Sequence, residues 1–494
     1  MKKVAAIVLV GMAVAGVARA ADINVTTDIV TSTTWTSNNV YHLKSVIYVE
    51  PGASLTIEPG TLIRGNTASV LVIARGAKIF ANGRKTAPII MTSEQDDLKT
   101  WRETCEEWGN LTILGNGLIS ATKDSQGTGQ PDGTDTAQME GLVARFAGDT
   151  LPLYGGNDDD DDSGVVRYVS LRYGGKVLSM ANELNGLSLG GVGRGTEVDH
   201  VEIMNNVDDG IEIWGGTVCL KYVSIWNIGD DSLDCDQGWR GKAQFGLIVQ
   251  GYCGSKGQGS GIGDNCFEMD GAEWASSQPY GAASIYNFTV IGQNFDPTSA
   301  NKSGDSGTEW RDNMRAQFGN CIFMNVGETM IKNQVTDNEP AGSAGYGSPG
   351  IPTLLELFNT PYSVYPTNTA GVDPNVLYPN FKSGNWCQFT DCLFYDNHET
   401  ASLDTYGQLA PALRNKVATV SPIEDIQRAN VTLVKDIVMA RVTKLNPLAA
   451  NDAVASIGTA PDDGFFTPAP YVGAFGSYNW LKGWTAADAY GMVE

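Results

Sequence analysis

Short apolar alternations separated by glycine and asparagine turns run through most of the chain. Val46, Ile47, Tyr48 and Val49 precede Pro51-Gly52-Ala53, and 24 residues later Val70, Leu71, Val72 and Ile73 precede Arg75-Gly76-Ala77. Trp108-Gly109-Asn110-Leu111-Thr112-Ile113-Leu114 repeats this pattern. A second ladder shares one alternation: Val166, Val169 and Leu171; Val198, Val201 and Ile203; Leu220, Val223 and Ile225; Ile285, Phe288 and Val290. Weaker copies follow at Phe318, Cys321 and Phe323, and at Phe389, Cys392 and Phe394. Alternation of period two is the signature of strands with one face inward. Its recurrence every roughly 20–30 residues, with no amphipathic helix between strands, is what a β-solenoid requires. The interval from Leu220 to Ile285 spans 65 residues, close to three coils, with Phe245, Leu247 and Val249 as an intermediate step. The expected fold is all-β, a right-handed parallel β-helix with loop excursions and an irregular, partly helical C-terminal part. A β-propeller or sandwich is the alternative, but its strands pair as hairpins and need antiparallel turn signals.

The organisation follows from this pattern. Residues 1–20 combine Lys2 and Lys3, an apolar run from Val4 to Ala18 and the small-x-small site Ala18-Arg19-Ala20, which reads as a secretory signal peptide. The run is shorter than the ~20 residues needed to span a bilayer, and no later segment is apolar enough for a membrane helix. The solenoid is expected over 21–330, a loop excursion rich in Gly, Pro, Asn and Tyr over 331–385, and the last coils with a C-terminal cover over 386–494. Leu, Ala, Ile and Val recur at roughly helical spacing over 404–445, and Ser421-Pro422-Ile423-Glu424 resembles a helix start, so a helical cover is expected there.

Charge narrows the function. Fifty-six acidic against thirty-three basic side chains, a net charge of -23, oppose binding to a phosphate backbone, so nucleic acid is excluded as a partner. His42, His200 and His398 are the three histidines, too few and too scattered for a histidine zinc site or a histidine-centred triad. No GxGxxG at a strand-to-helix junction and no Walker A loop is present. Export to the periplasm, outer surface or extracellular medium would let the eight cysteines pair. Cys321 and Cys392 hold the same inward position in their repeats, and Cys253 and Cys266 bracket a glycine-rich loop that a bridge would close. The absence of CxxC argues against a thioredoxin-like site.

The acidic residues are grouped. Aligning Ile211-Glu212-Ile213, Leu233-Asp234-Cys235 and Phe267-Glu268-Met269 puts Ile211, Leu233 and Phe267 inward and Glu212, Asp234 and Glu268 outward. Asp208, Asp209, Asp230, Asp231 and Asp264 fall at the preceding turn. On adjacent coils such carboxylates stand about 4.8 Å apart, and a divalent cation relieves their repulsion. Calcium takes six to eight oxygens at about 2.3–2.6 Å and bridges neighbouring strands without distorting them. Asp158, Asp159 and Asp160, in a five-aspartate run between glycines, form a second candidate cation loop. Paired carboxylates on such a wall also suit polysaccharide chemistry, with calcium acidifying a uronate and a basic residue taking its α-proton. Lys242 and Arg240 are the candidate bases, with neutralisation of the acidic wall as their competing role. Trp214 and Trp239 are candidate sugar-stacking rings, set against a role in capping the solenoid core.

These repeats resemble the pectin-lyase-like right-handed parallel β-helix superfamily. They are closest to secreted bacterial β-helix proteins and lipoproteins of largely unassigned function. The resemblance rests on Trp108 to Asn116, Asn185 to Gly193, Asp208-Asp209-Gly210 with Gly215-Gly216, Asp230-Asp231, Arg240-Gly241-Lys242, and Gly473-Ala474-Phe475 with Asn479-Trp480-Leu481 and Gly483-Trp484-Thr485. Asn206 to Gly210 is similar to calcium-binding stretches of some pectate lyases, where a Lys or Arg is the base. Gly229 to Ser232 looks like the paired-aspartate segment of polygalacturonases, but their Gly-His-Gly and Arg-Ile-Lys segments have no counterpart here. Because the fold hosts lyases, hydrolases, adhesins and passive surface proteins, it supplies no reaction by itself. The expectation is a secreted, calcium-stabilised β-helix with a structural, adhesive or cell-surface role, whose partner is an extracellular polysaccharide or a cell-surface component. A calcium-dependent polyuronate lyase and a non-catalytic glycan-binding module are the alternatives.

Overall fold

Successive coils stack because the repeated strands pair in parallel with their equivalents one coil later. Val166 lies beside Val198, Val198 beside Leu220, Leu220 beside Ala243 and Ala243 beside Ile285. The ladder continues through Phe318 to Phe389. The computed structural model describes residues 21–121, 136–179, 182–254, 263–293, 306–334, 345–365, 374–434, 437–450 and 460–494, with Val454 and Gly458. The signal-peptide reading of 1–20 lies outside them. Among the described residues no helix is long and apolar enough to cross a membrane.

A typical coil has two strand segments joined by a bend, then a turn, then a short strand of a second sheet. Strand Glu197–Asn206 bends at His200 and is followed by strand Ile211–Trp214. The bend residues Tyr168, His200, Tyr222, Phe245 and Asn287 have φ of 47°, 55°, 55°, 60° and 55°. This left-handed conformation is costly for a bulky side chain. Ring stacking offsets part of that cost: Tyr168–His200, His200–Tyr222 and Tyr222–Phe245 centroids are 4.2, 4.4 and 4.8 Å apart. The two strand segments build a 17-stranded sheet around this corner, and the short strands build a nine-stranded parallel sheet. Side chains alternating inward from both, such as Ile211, Leu233, Phe267, Val223 and Ile248, fill one continuous core.

Three local expectations are corrected. Leu220 and Ile285 are two coil rises apart, not three. Ala243 occupies the intermediate position, while Phe245 sits at the corner. The segment expected to be helical contains only short helical turns, Ala401–Thr405 and Pro411–Leu413, and then strands Ile423–Val434 and Ile437–Ala449 paired as an antiparallel hairpin. Register shifts after Ile423, Gln427 and Ala429 break the two-residue period and imitate helical spacing. Neither expected bridge is formed: Cys321 and Cys392 are buried in equivalent positions without a bond between them, and Cys266 is turned into the core rather than toward Cys253.

The excursion after residue 330 is also more than a surface loop. Ile331–Asn333 is the last strand of the nine-stranded sheet, and helix Leu354–Asn359, with the capping box Thr353/Glu356, drives Leu354, Leu357 and Phe358 into the core. The C-terminal segment folds back along the flank of the solenoid. There Trp480, Trp484, Met492 and Val493 pack on Met204, Trp226, Leu247 and Val249. Buried Glu202 fixes this cover by accepting the Ala486 and Ala487 amides at 2.5 and 3.0 Å.

Candidate metal centre

The nine-stranded sheet changes character along its outer face. Its outward row reads Tyr48, Val72, Thr112, Ser188, Glu212, Asp234, Glu268, Glu309 and Lys332 in consecutive register. The apolar beginning is covered by Met139, Leu142 and Tyr154. The four acids that follow end at Lys332, which pairs with Glu309 at 2.6 Å.

A second acidic row occupies the turn before this sheet, where the backbone imposes it. The Asn185 side chain accepts the Asp209 amide at 3.1 Å, Asp209 accepts the Asp231 amide at 2.9 Å, and Asp231 accepts the Asn265 amide at 2.5 Å. Each turn thus presents a short oxygen-bearing side chain to the next coil, which satisfies a buried amide and fixes the spacing of the row. Asp208 and Asp230 stand beside it. Asp208, Asp209 and Asp230 each bring a carboxylate oxygen within 4.8 Å of the others, as do Asp209, Glu212 and Asp234, so Asp209 belongs to both groups.

A third row begins with Trp214 beside Asp236, and Asp270 follows next to Arg311. Two hairpins, Ala137–Gln138 with Leu153–Tyr154 and Lys176–Ser179 with Asn182–Leu184, add Glu140 and Glu183 to the lining. The open cleft they line has a volume of about 660 Å³. Ten carboxylates line it, from Glu140, Glu183, Asp208, Asp209, Glu212, Asp234, Asp236, Glu268, Asp270 and Glu273, and Arg311 is the basic residue of the lining.

Electrostatics set this cleft apart from an ordinary acidic surface. Burial first, and then the neighbouring carboxylates, push Asp208, Asp209, Glu212, Asp230, Asp231 and Asp234 well above the usual range. Burial and Glu273 push Asp236 up to about 8. Burial also raises Asp270, against the pull of Arg311. Burial works in the same sense on Glu268, but the charge of Arg311, 2.5 Å away, together with a hydrogen bond to Asp231 outweighs it and holds that carboxyl below its usual value. Asp234 and Asp270 are 8% and 9% exposed, and in each the Oδ1 atom is buried without a hydrogen-bond partner. A buried carboxylate oxygen left bare is costly. Oxygen ligands at this density suit a hard divalent cation such as calcium.

The candidate residues separate into those inside and those outside this cleft. Asp208, Asp209, Glu212, Asp234 and Glu268 line it, and Asp230, Asp231 and Asp264 stand at its turn row. Asp158, Asp159 and Asp160 lie elsewhere. Asp159 pairs with Arg240 at 2.6 Å, Asp160 with Arg194 at 2.8 Å, and Asp158 accepts the Asp160 amide at 3.0 Å. Arg240 is 1% exposed, and Lys242 pairs with Asp463 at 2.5 Å, so neither candidate base faces the cleft. Trp214 lines the cleft beside Tyr154, while Trp239 is a core residue whose Nε1 donates to the Val218 carbonyl at 3.0 Å.

Sequence reasoning did not single out Glu140, Glu183, Asp236, Asp270, Glu273 or Arg311. The alternation Asp234-Cys235-Asp236 and Glu268-Met269-Asp270 carried a signal for two of them. Glu140 and Glu183 arrive on hairpins whose place over the sheet is tertiary.

The family of the pectate-lyase-like beta helix domain matches residues 27–344. Neither a curated protein nor a solved structure matches the chain. The match covers well over half of the chain, and parallel strand ladders run through its described residues, so the chain belongs to the pectate-lyase-like β-helix family.

Proposed function

We propose that this is an exported β-helix protein with a structural, adhesive or cell-surface role, in which the acidic cleft binds calcium and the bound ions hold neighbouring coils together. The observation that carries this reading is the set of ten carboxylates around one cavity with Arg311 as the basic residue of its lining. The bare Oδ1 atoms of Asp234 and Asp270 support it. Cations bridging Asp208, Asp209 and Asp230, and Asp209, Glu212 and Asp234, would tie together strands that otherwise repel one another. A carboxylated extracellular polysaccharide fits as partner, because a uronate can share a calcium ion whose protein ligands leave positions open.

No catalysis is assigned, since Lys242 and Arg240 stand outside the cleft and Arg311 is held charged by Asp270 and Glu268. The test is a thermal melt of metal-stripped protein at pH 7.5 with calcium or with chelator. Calcium is expected to raise the melting temperature by several degrees, and magnesium by less because it demands a tighter octahedron. Identical melts with and without calcium would remove the reading. A polyuronate incubation followed by ultraviolet detection of unsaturated products is expected to stay flat, and a calcium-dependent rise would make the protein a lyase.

A further inference from the structure

The corner opposite the aromatic stack brings two distant cysteines together. Asn205 and Asn227 have φ of 60° and 53° there, and Asn227 Nδ2 donates to Asn205 Oδ1 at 3.1 Å. The segment 101–107, which leaves the solenoid after strand Ile89–Ser93, lies across this corner. Trp101 Nε1 donates to Asn205 Oδ1 at 3.0 Å, and Asn205 Nδ2 donates to the Arg102 and Thr104 carbonyls at 2.8 and 3.1 Å. The Glu106 and Glu107 amides donate to the Gly174 and Tyr173 carbonyls at 2.9 and 3.0 Å. Cys105 is therefore delivered by a well-tied segment. Cys253, just after strand Lys242–Val249, meets it with the two sulfur atoms 2.6 Å apart. Sulfurs that are not bonded do not approach so closely, and a disulfide needs only a short further approach to about 2.05 Å.

We propose that Cys105 and Cys253 form a disulfide that clips segment 101–107 to a chain position 148 residues away, across the corner beside the acidic turn row. Cys105, the more exposed of the two, is the entry point. Its thiolate attacks a disulfide such as oxidised glutathione, forms a mixed disulfide and releases one glutathione thiolate. The Cys253 thiolate then attacks the Cys105 sulfur and expels the second glutathione. The protein loses two electrons and two protons, and the oxidant is reduced to two glutathione thiols. Cys253 Sγ also lies 3.1 Å from the Asn206 carbonyl oxygen, next to the turn that carries Asp208 and Asp209. A bridge here braces that turn whether or not a cation binds.

The test is a peptide map of full-length protein equilibrated with oxidised glutathione, alkylated in denaturant and digested without reductant. One cross-linked pair joining Cys105 to Cys253 is expected, with Cys266 alkylated. Alkylation of both Cys105 and Cys253, or a link from Cys253 to Cys266, overturns the proposal. At fixed calcium, reductant is expected to lower the melting temperature of the oxidised wild type by roughly 5 °C or more. The double variant Cys105→Ser/Cys253→Ser is expected to melt lower and to ignore reductant. A wild type indifferent to reductant counts against the bridge.

Discussion

Asp209 serves the backbone and the cleft at once. Its Oδ1 accepts the Asp231 amide at 2.9 Å, and its carboxylate belongs to both groups of converging acids. Asp209→Asn keeps an acceptor oxygen for that amide and removes one charge. The variant is expected to bind calcium about tenfold or more weakly in a calorimetric titration, while its melting temperature in chelator stays equal to or rises above wild type. Asp159→Asn is expected to behave in the opposite way. Its carboxylate holds the buried Arg240, so the variant should lose about 3–5 kcal/mol in urea unfolding with calcium affinity unchanged. The sequence showed that acids recur at Glu212, Asp234 and Glu268, because their partners alternate with Ile211, Leu233 and Phe267. It did not show that the five-aspartate run would be claimed by Arg194 and Arg240, since those pairings join chain positions 34 and 81 residues apart.

At the scale of elements, the parallel strands were legible because each coil repeats the same inward positions, and the register from Val166 to Phe389 follows them. The hairpin Ile423–Val434 with Ile437–Ala449 was not, because its bulges disturb the period by which a strand is recognised. The C-terminal cover was foreseen as an element, and its helical part is minor, made of the short turns Ala401–Thr405, Pro411–Leu413 and Ala486–Ala489. Tryptophans hold it on the solenoid. Trp480 is 3% exposed, stacks on Phe475 with centroids 5.0 Å apart and donates to the Ala474 carbonyl at 3.1 Å. Trp480→Ala is expected to cost about 3–5 kcal/mol and to make 460–494 the first segment released by limited proteolysis. Equal proteolytic resistance in wild type and variant would show that the cover is anchored elsewhere, as at Glu202.

At the scale of the whole molecule, the acidic cleft makes stability a function of pH and metal together. In the metal-free protein, Asp236 keeps its proton up to about pH 8, against an ordinary value of 3.8, and its neighbours are shifted in the same direction. Between those values the folded state binds more protons than the unfolded chain, so stability falls as pH rises. Metal-free protein is expected to melt at progressively lower temperature from pH 5 to pH 8. Saturating calcium should flatten or reverse that slope, because the cation replaces the protons and favours the ionised carboxylates.

The most direct measurement is a calorimetric titration of calcium into metal-stripped protein at pH 7.5, with the buffer varied to count protons released. Saturable binding, with proton release and with loss of affinity in Asp209→Asn and Asp234→Asn but not in Asp159→Asn, is the expected result. Absence of binding heat in all buffers, or binding unaffected by Asp209→Asn and Asp234→Asn, would contradict the cleft as a calcium site.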